Sequence, residues 1–374
     1  MREKILFITK HNPFGTGGGA IATSKYISLM ADIFDLDLIM AEECYNKEKA
    51  DKINIKNVFL IPQRSCFRKI LETPLGIFHR FGFIYKKVIF SNYKYIFLDH
   101  SAISSSFVKY CKRMNIKTIT LHHNFEKEYF LADSRNKYKN LLVSFVQKNE
   151  KKAYIGSDIN LFLTSSDMDK FKSCYGNRDG CYITSLFFGK NSNIYKREKN
   201  DFVYDMIISC SLNDLQNENS IISFLSNYKS KTLNKCKILI CGRNPSAKLC
   251  DFLMNYNNVT LVQNPVDMDE LLLMSKIYLC IIENGGGIKV RCFDALKYCM
   301  PCIIHENSVR GYEDLVSADF FHSYNINSFD RVVMDVMNFN FSNDFLDKYK
   351  SEITKHYSFC SAKEKMISII NSMR

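Results

Sequence analysis

The sequence predicts an α/β protein with two Rossmann-like, doubly wound domains. Three observations support this class. The chain has 374 residues, which is too long for one ordinary hydrophobic core and sufficient for two. Short β-rich runs alternate with amphipathic stretches over the first half, the pattern of a parallel sheet with crossover helices. The same alternation restarts after a polar stretch at 189–201.

Residues 1–188 form the first predicted domain. Its strands are predicted at 4–9, 36–40, 58–61, 95–98, 118–121, 159–164 and 181–183, and its helices at 20–32, 104–114 and 141–154. The polar stretch 189–201 interrupts this rhythm and is typical of a linker. We therefore place the domain boundary there.

Residues 202–340 form the second predicted domain, and residues 341–374 form a helical tail. The strands of the second domain are predicted at 205–209, 236–241, 259–262, 277–282 and 302–305, and its helices at 218–228, 245–255, 268–274 and 289–299. Met366, Ile367, Ile369 and Ile370 give the end of the tail a helical period. We expect the tail to pack back on the first domain.

Composition favours a cytoplasmic protein. The 14 cysteines are scattered through apolar segments, and the first residues contain only a brief apolar run instead of a signal peptide. Cys299 and Cys302 have the spacing of a redox pair, but they follow a helical pattern, so we interpret them as buried thiols. No stretch approaches the roughly 18 apolar residues that cross a bilayer.

The formal net charge is +12, and nearly all of the excess lies in the first half. From Arg64 to Tyr95, basic residues are interleaved with aromatic ones, and Glu72 is the single acid. Such a segment fits either an anionic membrane surface or a basic helix whose rings face the core. No recognisable nucleic-acid-binding motif accompanies it, so we expect no nucleic acid partner.

The segment after the predicted strand 277–282 is the most informative one. Three glycines let the backbone approach a ligand, and a predicted helix begins directly after them. Lys289 and Arg291 supply positive charge for a diphosphate, and Asp294 is placed to accept hydrogen bonds from a ribose diol. The alternative is a solvated Arg291–Asp294 ion pair. The residues assigned to this binding segment are Gly285, Gly286, Gly287, Ile288, Lys289, Arg291 and Asp294.

Two further strand ends are expected to approach the same site, because ligands collect at the carboxyl ends of parallel strands. Arg243 follows the strand 236–241, where its guanidinium either binds phosphate oxygens or remains an ordinary surface group. Asn264 and Val266 follow the strand 259–262, where their backbone groups are placed to contact a base.

A glycine run follows the first predicted strand. Residues 15–20 match G-x-G-x-x-A between a strand and a helix, which taken alone suggests a dinucleotide site. The intervening loop 10–14 is too long for that site. We therefore interpret Gly17, Gly18 and Gly19 as a flexible loop that leaves room for phosphate or for a second substrate.

Histidines and paired acids raise the question of a metal. His122 and His123 are adjacent at a strand end, so at most one of them faces a ligand. We assign His123 to that role, with a structural histidine as the alternative. The acidic pairs at 35/37, 167/169 and 267/269 do not aim both carboxylates at one ion. We expect no catalytic metal and no cofactor.

Residues 285–313 resemble the corresponding segment of GT-B glycosyltransferases of the broad family 4 type. The shared features are the glycine-rich turn, Lys289 and Arg291, Asp294 followed by Ala-Leu, and Pro301 before a strand. A weaker similarity lies at 123–126, where relatives carry H-N-x-E. Relatives usually have Glu at the position of Asp294, and many have another Glu at the position of Gly286.

This resemblance implies two domains that face each other across a cleft, with a nucleotide diphosphate sugar bound by the second. It implies a retaining, metal-independent transferase, and we assign the catalytic roles to His123, Lys289 and Asp294. The expected acceptor is a cell-surface glycan or a lipid-linked one, at the inner face of the cell membrane. The alternatives are a sugar-nucleotide 2-epimerase of the same fold and a non-catalytic protein that binds a sugar nucleotide or a glycan.

Overall fold

The computed structural model describes residues 2–62, 88–132, 139–197, 202–228, 232–283, 286–339 and 342–373. The chain divides into two compact units. Unit 1 comprises Met1–Lys190 and Tyr357–Arg374, and unit 2 comprises Asn191–His356. Each unit is built on its own parallel sheet, so the predicted α/β class with two doubly wound sheets is confirmed.

The sheet of unit 1 has seven parallel strands among the described residues. They are β1 (Lys4–Thr9), β2 (Asp35–Ala41), β3 (Ile55–Ile61), β4 (Tyr95–Asp99), β5 (Lys117–His122), β6 (Ile159–Phe162) and β7 (Cys181–Ile183). Their order in the sheet is β3-β2-β1-β4-β5-β6-β7. The central strands are buried along nearly their whole length because helices cover both faces, which explains their almost continuous apolar sequence.

The helices of this first part of the chain connect the parallel strands. They are α1 (Gly18–Ile33), α2 (Lys47–Asp51), α3 (Ser101–Arg113), α4 (Glu126–Ala132), α5 (Lys139–Gly156) and α6 (Ser165–Tyr175). Thr164 begins α6 as its N-cap, because its hydroxyl accepts a hydrogen bond from the backbone N–H of Asp167. None of the helices that the structure describes is long and apolar enough to span a bilayer.

The sheet of unit 2 has six parallel strands among the described residues. They are β8 (Tyr204–Ser211), β9 (Ile238–Arg243), β10 (Val259–Gln263), β11 (Ser275–Cys280), β12 (Cys302–His305) and β13 (Phe321–Tyr324), in the order β10-β9-β8-β11-β12-β13. The helices are α7 (Leu215–Asn227), α8 (Ala247–Leu253), α9 (Met268–Leu273), α10 (Cys292–Lys297), α11 (Glu313–Ser317), α12 (Phe329–Asn338) and α13 (Asn343–Tyr357).

The last helix, α14 (Phe359–Asn371), belongs to unit 1. Its Phe359 ring lies 6.1 Å from that of Phe187, and Lys363 Nζ lies 2.7 Å from Asp32 Oδ2 at the end of α1. The buried residues Met366, Ile369 and Ile370 form its inner face. Unit 1 is therefore assembled from both ends of the chain.

Two helices near the glycine runs begin at other residues than predicted. α1 begins at Gly18 instead of residue 20, so Gly18 and Gly19 lie in its first turn and are not a flexible loop. α10 begins at Cys292 instead of residue 289. The reason is that Lys289–Arg291 form tight turns, in which the N–H of Cys292 donates to Lys289 O (3.0 Å) and that of Asp294 donates to Arg291 O (3.0 Å).

Candidate functional site

Both sheets contain a point where the strand order reverses. In unit 1 this point lies between β1 and β4, and in unit 2 it lies between β8 and β11. The connections that leave two such neighbouring strands run in opposite directions, which opens a crevice at their carboxyl ends, where ligands of doubly wound folds bind. The predicted phosphate-binding turn of unit 2 and a polar cluster of unit 1 lie at these two positions.

In unit 2, the turn after β11 holds the predicted phosphate-binding residues. Gly287 has φ 68°, a left-handed conformation that favours glycine. Lys289 Nζ lies 3.3 Å from the carbonyl oxygen of Gly286, and the Tyr312 hydroxyl donates to Lys289 O (2.8 Å). Ile288 is buried and anchors the turn. Gly285 was assigned to this site from the sequence and lies outside the described residues.

Arg291 and Asp294 follow on the same turn. Arg291 Nη1 lies 3.7 Å from Asp294 Oδ2, and both side chains are partly exposed. Burial raises the pKa of the Cys210 thiol to about 12, and the Arg291 guanidinium opposes that rise. Since Cys210 lies near the end of β8, the guanidinium is within electrostatic reach of the β8–β11 crevice. The observed ion pair is also the solvated pair that the sequence left as the alternative.

The ends of β9 and β10 lie at the same edge of the sheet as this turn, but β8 separates both strands from β11. Arg243 is the last residue of β9 and is exposed, as is Val266 beyond β10. Asn264 has φ 50°, donates its N–H to Gly242 O (2.8 Å) and accepts from Asn244 N through Oδ1 (3.0 Å). These bonds fix the polar turn that was predicted to contact a base. This geometry does not show whether a ligand contacts Arg243, Asn264 or Val266. Their assignments to the binding site therefore stay predictions.

In unit 1, a buried polar cluster occupies the β1–β4 crevice. Its centre is Asp99, the last residue of β4. Asp99 Oδ2 accepts from the hydroxyls of Thr9 (2.6 Å) and Thr23 (2.7 Å), and Oδ1 accepts from Nε2 of His123 (2.6 Å). Burial alone would raise the pKa of Asp99, but the His123 imidazole and these hydrogen bonds hold it well below its usual range. Asp99 is therefore ionised in the protein interior.

His11 forms the outer part of this cluster. Its ring centroid lies 5.0 Å from that of His123 and 5.5 Å from that of His100. The ring also lies against the first turn of α1, since a Cβ at Gly19 would be 3.1 Å from His11 Cε1. Burial lowers the pKa of His11 to about 3, so the imidazole is neutral. Gly17 is the N-cap of this helix and is exposed.

A second contact between a histidine and a carboxylate lies next to Asp99. His100 Nε2 lies 2.9 Å from Glu126 Oε1, and His100 Nδ1 accepts from Ala102 N (3.1 Å). His100 has φ 98°, a strained conformation for a residue other than glycine. Burial lowers the pKa of Lys10, and the carboxylates of Glu126 and Asp99 oppose this. The cluster thus combines neutral and charged groups, with Asp99 and His123 buried and Lys10 and His11 partly exposed.

His122 and His123 have different partners, in agreement with the expected alternation. His122 Nε2 donates to Asn160 Oδ1 (2.8 Å), and its ring stacks on Phe162 at 5.0 Å. It is a structural histidine of the core. His123 is 5% exposed and bound to Asp99, so its assigned contact with a ligand stays a prediction.

Sequence reasoning missed the residues that surround His123. Asp99 was not singled out because it ends an apolar strand, and His11 was considered only as part of a loop. The signal that would have found them is positional: each lies at or just after the carboxyl end of a predicted strand, at the two strands that flank the reversal point.

Comparison with solved structures identifies proteins of the same architecture. HepE from Anabaena in complex with UDP and glucose is 11% identical, with 99% of this chain and 100% of that chain covered and a TM-score of 0.68. Sucrose-phosphate synthase from Thermosynechococcus elongatus is 11% identical, with coverage of 100% and 99% and a TM-score of 0.70. The lipopolysaccharide outer core galactosyltransferase WaaB in its apo form is 11% identical, with coverage of 99% and 100% and a TM-score of 0.66.

These likenesses extend over the whole chain and show that it has the GT-B fold, as the sequence resemblance implied. Neither protein-family models nor curated protein sequences match the chain.

Proposed function

We propose that this protein is a glycosyltransferase that transfers a sugar from a nucleotide diphosphate sugar. The observation that carries the proposal is the turn 286–294, which places Lys289, Arg291 and Asp294 after the carboxyl end of β11, at the reversal point of unit 2. HepE, a structural neighbour along its full length, binds UDP and UDP-glucose. The fold and the charge of this turn therefore support the same class of donor.

The chemistry assigned to the turn follows from the charge that develops in the reaction. When the bond between the sugar and the diphosphate breaks, negative charge accumulates on the phosphate oxygens. Lys289 and Arg291 stabilise that charge, and most strongly when it is fully developed, which lowers the barrier. Asp294 accepts hydrogen bonds from the ribose hydroxyls and fixes the donor. Two cationic side chains can neutralise the diphosphate, so this part of the reaction is proposed to need no metal.

The acceptor and the stereochemical course are further parts of the proposal. The resemblance of 285–313 to family 4 enzymes supports retention of the anomeric configuration. A cell-surface glycan or a lipid-linked glycan is the proposed acceptor, because the basic and aromatic stretch from Arg64 to Tyr95 suits an anionic lipid surface. Most of that stretch, residues 64–87, lies outside the described residues, and the described rings of Phe90, Tyr93 and Tyr95 are buried in the core. The support for a lipid surface therefore comes from the sequence of residues 64–87. A cytoplasmic protein associated with the inner membrane face fits this acceptor.

Donor binding tests the proposal most directly. We expect one of the UDP-, GDP- or TDP-sugars, at about 100 times its Kd, to raise the melting temperature by about 5 °C, because a ligand of the folded state adds about 2.7 kcal/mol of stability. The double variant Lys289→Ala, Arg291→Ala should weaken donor binding at least about 100-fold, since each charge-assisted hydrogen bond contributes about 1.5–3 kcal/mol. Calorimetric titration measures this loss.

The matched control is Lys237→Ala. Lys237 is an exposed lysine of the same unit and lies directly before β9, at the amino ends of the strands and away from the proposed site. It should bind the donor as the unaltered protein does. Unchanged donor affinity in the double variant would contradict the assigned role, and conversion of the donor to its C2 epimer without an acceptor would identify an epimerase instead.

A further inference from the structure

Three potential metal ligands converge at the reversal point of unit 1. His11, Asp99 and His123 each offer one ligand atom, and these atoms all lie within 4.8 Å of one another. They come from separate places in the sequence: His11 follows β1, Asp99 ends β4 and His123 follows β5. Two imidazoles and a carboxylate form a donor set that suits transition-metal ions and zinc.

The carboxylate of this set is held in a fixed orientation. Both hydroxyls that bond to Asp99, those of Thr9 and Thr23, are directed at Oδ2. Oδ1 is left on the side of His123. Hydrogen bonds of this kind to the outer oxygen are what orient ligating carboxylates in metal sites. The hydrogen bonds from Thr9 and Thr23 to Oδ2 would hold Asp99 in place when an ion replaces His123 as the partner of Oδ1.

His11 carries an unsatisfied nitrogen inside the cluster. Its Nε2 is buried and has no hydrogen-bond partner. A buried polar atom without a partner costs about 1–3 kcal/mol, and an ion is one of the explanations for such an atom in a native structure. The ring packs against Gly19 on one side and lies 5.0 Å from the His123 ring on the other. The Nε2 atom without a partner therefore belongs to a ring that is packed next to the other two ligands, Asp99 and His123.

The charges around the set favour a cation. Asp99 is a buried carboxylate and Glu126 is a partly buried one, and the partly exposed ammonium of Lys10 interacts electrostatically with both. Buried charges are retained in proteins when they are paired or coordinate a metal. Two carboxylates and one ammonium leave a net charge of −1, which attracts a divalent cation.

We propose that His11, Asp99 and His123 bind one divalent transition-metal ion, with zinc as the best match to two imidazoles and a carboxylate. The ion takes the lone pair of His123 Nε2, so the proton now between that nitrogen and Asp99 Oδ1 moves to Nδ1 of the same ring or to solvent. Three protein ligands leave a coordination position for water or a substrate oxygen. This site belongs to unit 1 and is separate from the diphosphate turn of unit 2. It includes His123, to which the sequence resemblance assigns a catalytic role, but zinc binding is measured without any substrate.

Metal binding to the purified, untagged chain tests the proposal without any substrate. After chelation, dialysis and re-addition of Zn²⁺, we expect one Zn²⁺ per chain by elemental analysis, with its affinity measured by competition with a chromophoric chelator. Co²⁺ should give the visible absorption of a low-coordinate site. His11→Ala should reduce the affinity about 100-fold or more, because a first ligand matters at least as much as the outer residues that cost 10–100-fold. His11 is partly exposed, so this variant is expected to fold, as circular dichroism would verify.

The matched control is His322→Ala in unit 2. His322 also has a buried Nε2 without a hydrogen-bond partner, but it is absent from the metal-ligand group found among the described residues. It should bind zinc as the unaltered chain does. The proposal is overturned if the unaltered chain binds neither Zn²⁺ nor Co²⁺ below about 100 µM, an affinity of about −5.5 kcal/mol. It is equally overturned if His11→Ala binds as tightly as the unaltered chain. Neither result bears on donor binding, which the Lys289 and Arg291 variants report.

Discussion

Glu150 is a carboxyl group in the interior of unit 1. It accepts hydrogen bonds from the N–H of Glu126 (2.6 Å) and the hydroxyl of Tyr175 (2.8 Å), and burial raises its pKa to about 8. The folded protein thus keeps this proton up to about pH 8, whereas an unfolded chain releases it near pH 4.3. Between these values the folded state binds more protons, so the contribution of Glu150 to the free energy of unfolding falls as pH rises.

The substitution Glu150→Gln should remove this pH-dependent fall in the free energy of unfolding. The amide keeps an oxygen for the N–H of Glu126 and has no charge to desolvate, so the variant should gain stability relative to the unaltered protein between pH 5 and pH 8. The gain should amount to about 1 kcal/mol or more and at most about 1.4 kcal/mol per pH unit. Urea unfolding followed by circular dichroism measures it. Glu364 is an exposed glutamate on α14. For Glu364→Gln, the free energy of unfolding plotted against pH should run parallel to that of the unaltered protein. If the plot for Glu150→Gln also runs parallel to that of the unaltered protein, the buried carboxyl does not titrate between pH 5 and pH 8.

Individual site residues were only partly predictable. The diphosphate turn is continuous in sequence, so Gly287, Lys289 and Arg291 could be assigned together from one segment. In the cluster of unit 1, Thr9 and Asp99 are 90 positions apart in the sequence, and their hydrogen bond exists only because β1 and β4 are neighbours. The sequence predicts both strands but not their pairing, and the buried cluster follows from the pairing.

At the level of elements, the carboxyl ends of β8 and β9 approach each other closely. Position 242 is occupied by glycine because a Cβ there would lie 1.9 Å from the carbonyl oxygen of Cys210 and 2.9 Å from Leu212 Cγ. A carbonyl oxygen in a sheet cannot move aside as a flexible side chain can. Since Arg243 follows directly, this close approach also fixes where the exposed guanidinium leaves the sheet.

Gly242→Ala should therefore destabilise unit 2 by about 3 kcal/mol, at the upper end of the cost of overpacking. Scanning calorimetry would show a lower melting temperature for the transition of unit 2. Gly17→Ala serves as the comparison, because a Cβ at Gly17 would meet no atom within 4 Å. Its change should stay below about 1 kcal/mol. Equal stability of the two variants would mean that β8 and β9 do not approach as closely as described.

Element boundaries were predicted well where the backbone is regular and poorly where it is not. The strands at Lys4–Thr9, Cys181–Ile183 and Cys302–His305 agree residue for residue with the sequence pattern. The helix after the glycine turn was placed three residues early, because the left-handed Gly287 and the tight turns at Lys289–Arg291 delay the first α-helical residue to Cys292. Apolar periodicity does not register such turns.

On the scale of the whole molecule, the chain leaves unit 1 at Lys190 and returns to it at Tyr357. The return is stabilised by α14, which packs on α1 through an apolar face and carries the Lys363–Asp32 ion pair at 2.7 Å. Exposed ion pairs contribute about 0–1 kcal/mol, whereas burying one large aliphatic side chain contributes about 1.5–3 kcal/mol. The apolar face therefore dominates the docking of α14.

Two isoleucines of α14 test this conclusion within one helix. Ile370 is 2% exposed and Ile367 is 37% exposed, so the same substitution removes buried contacts in one case and mainly solvated surface in the other. Ile370→Ala should destabilise unit 1 by about 2–4 kcal/mol, and Ile367→Ala by less than about 1 kcal/mol. Calorimetry should assign the loss to unit 1 and leave the transition of unit 2 unchanged, because α14 belongs to the core of unit 1. Equal effects of the two substitutions, or a loss confined to unit 2, would show that α14 does not complete unit 1.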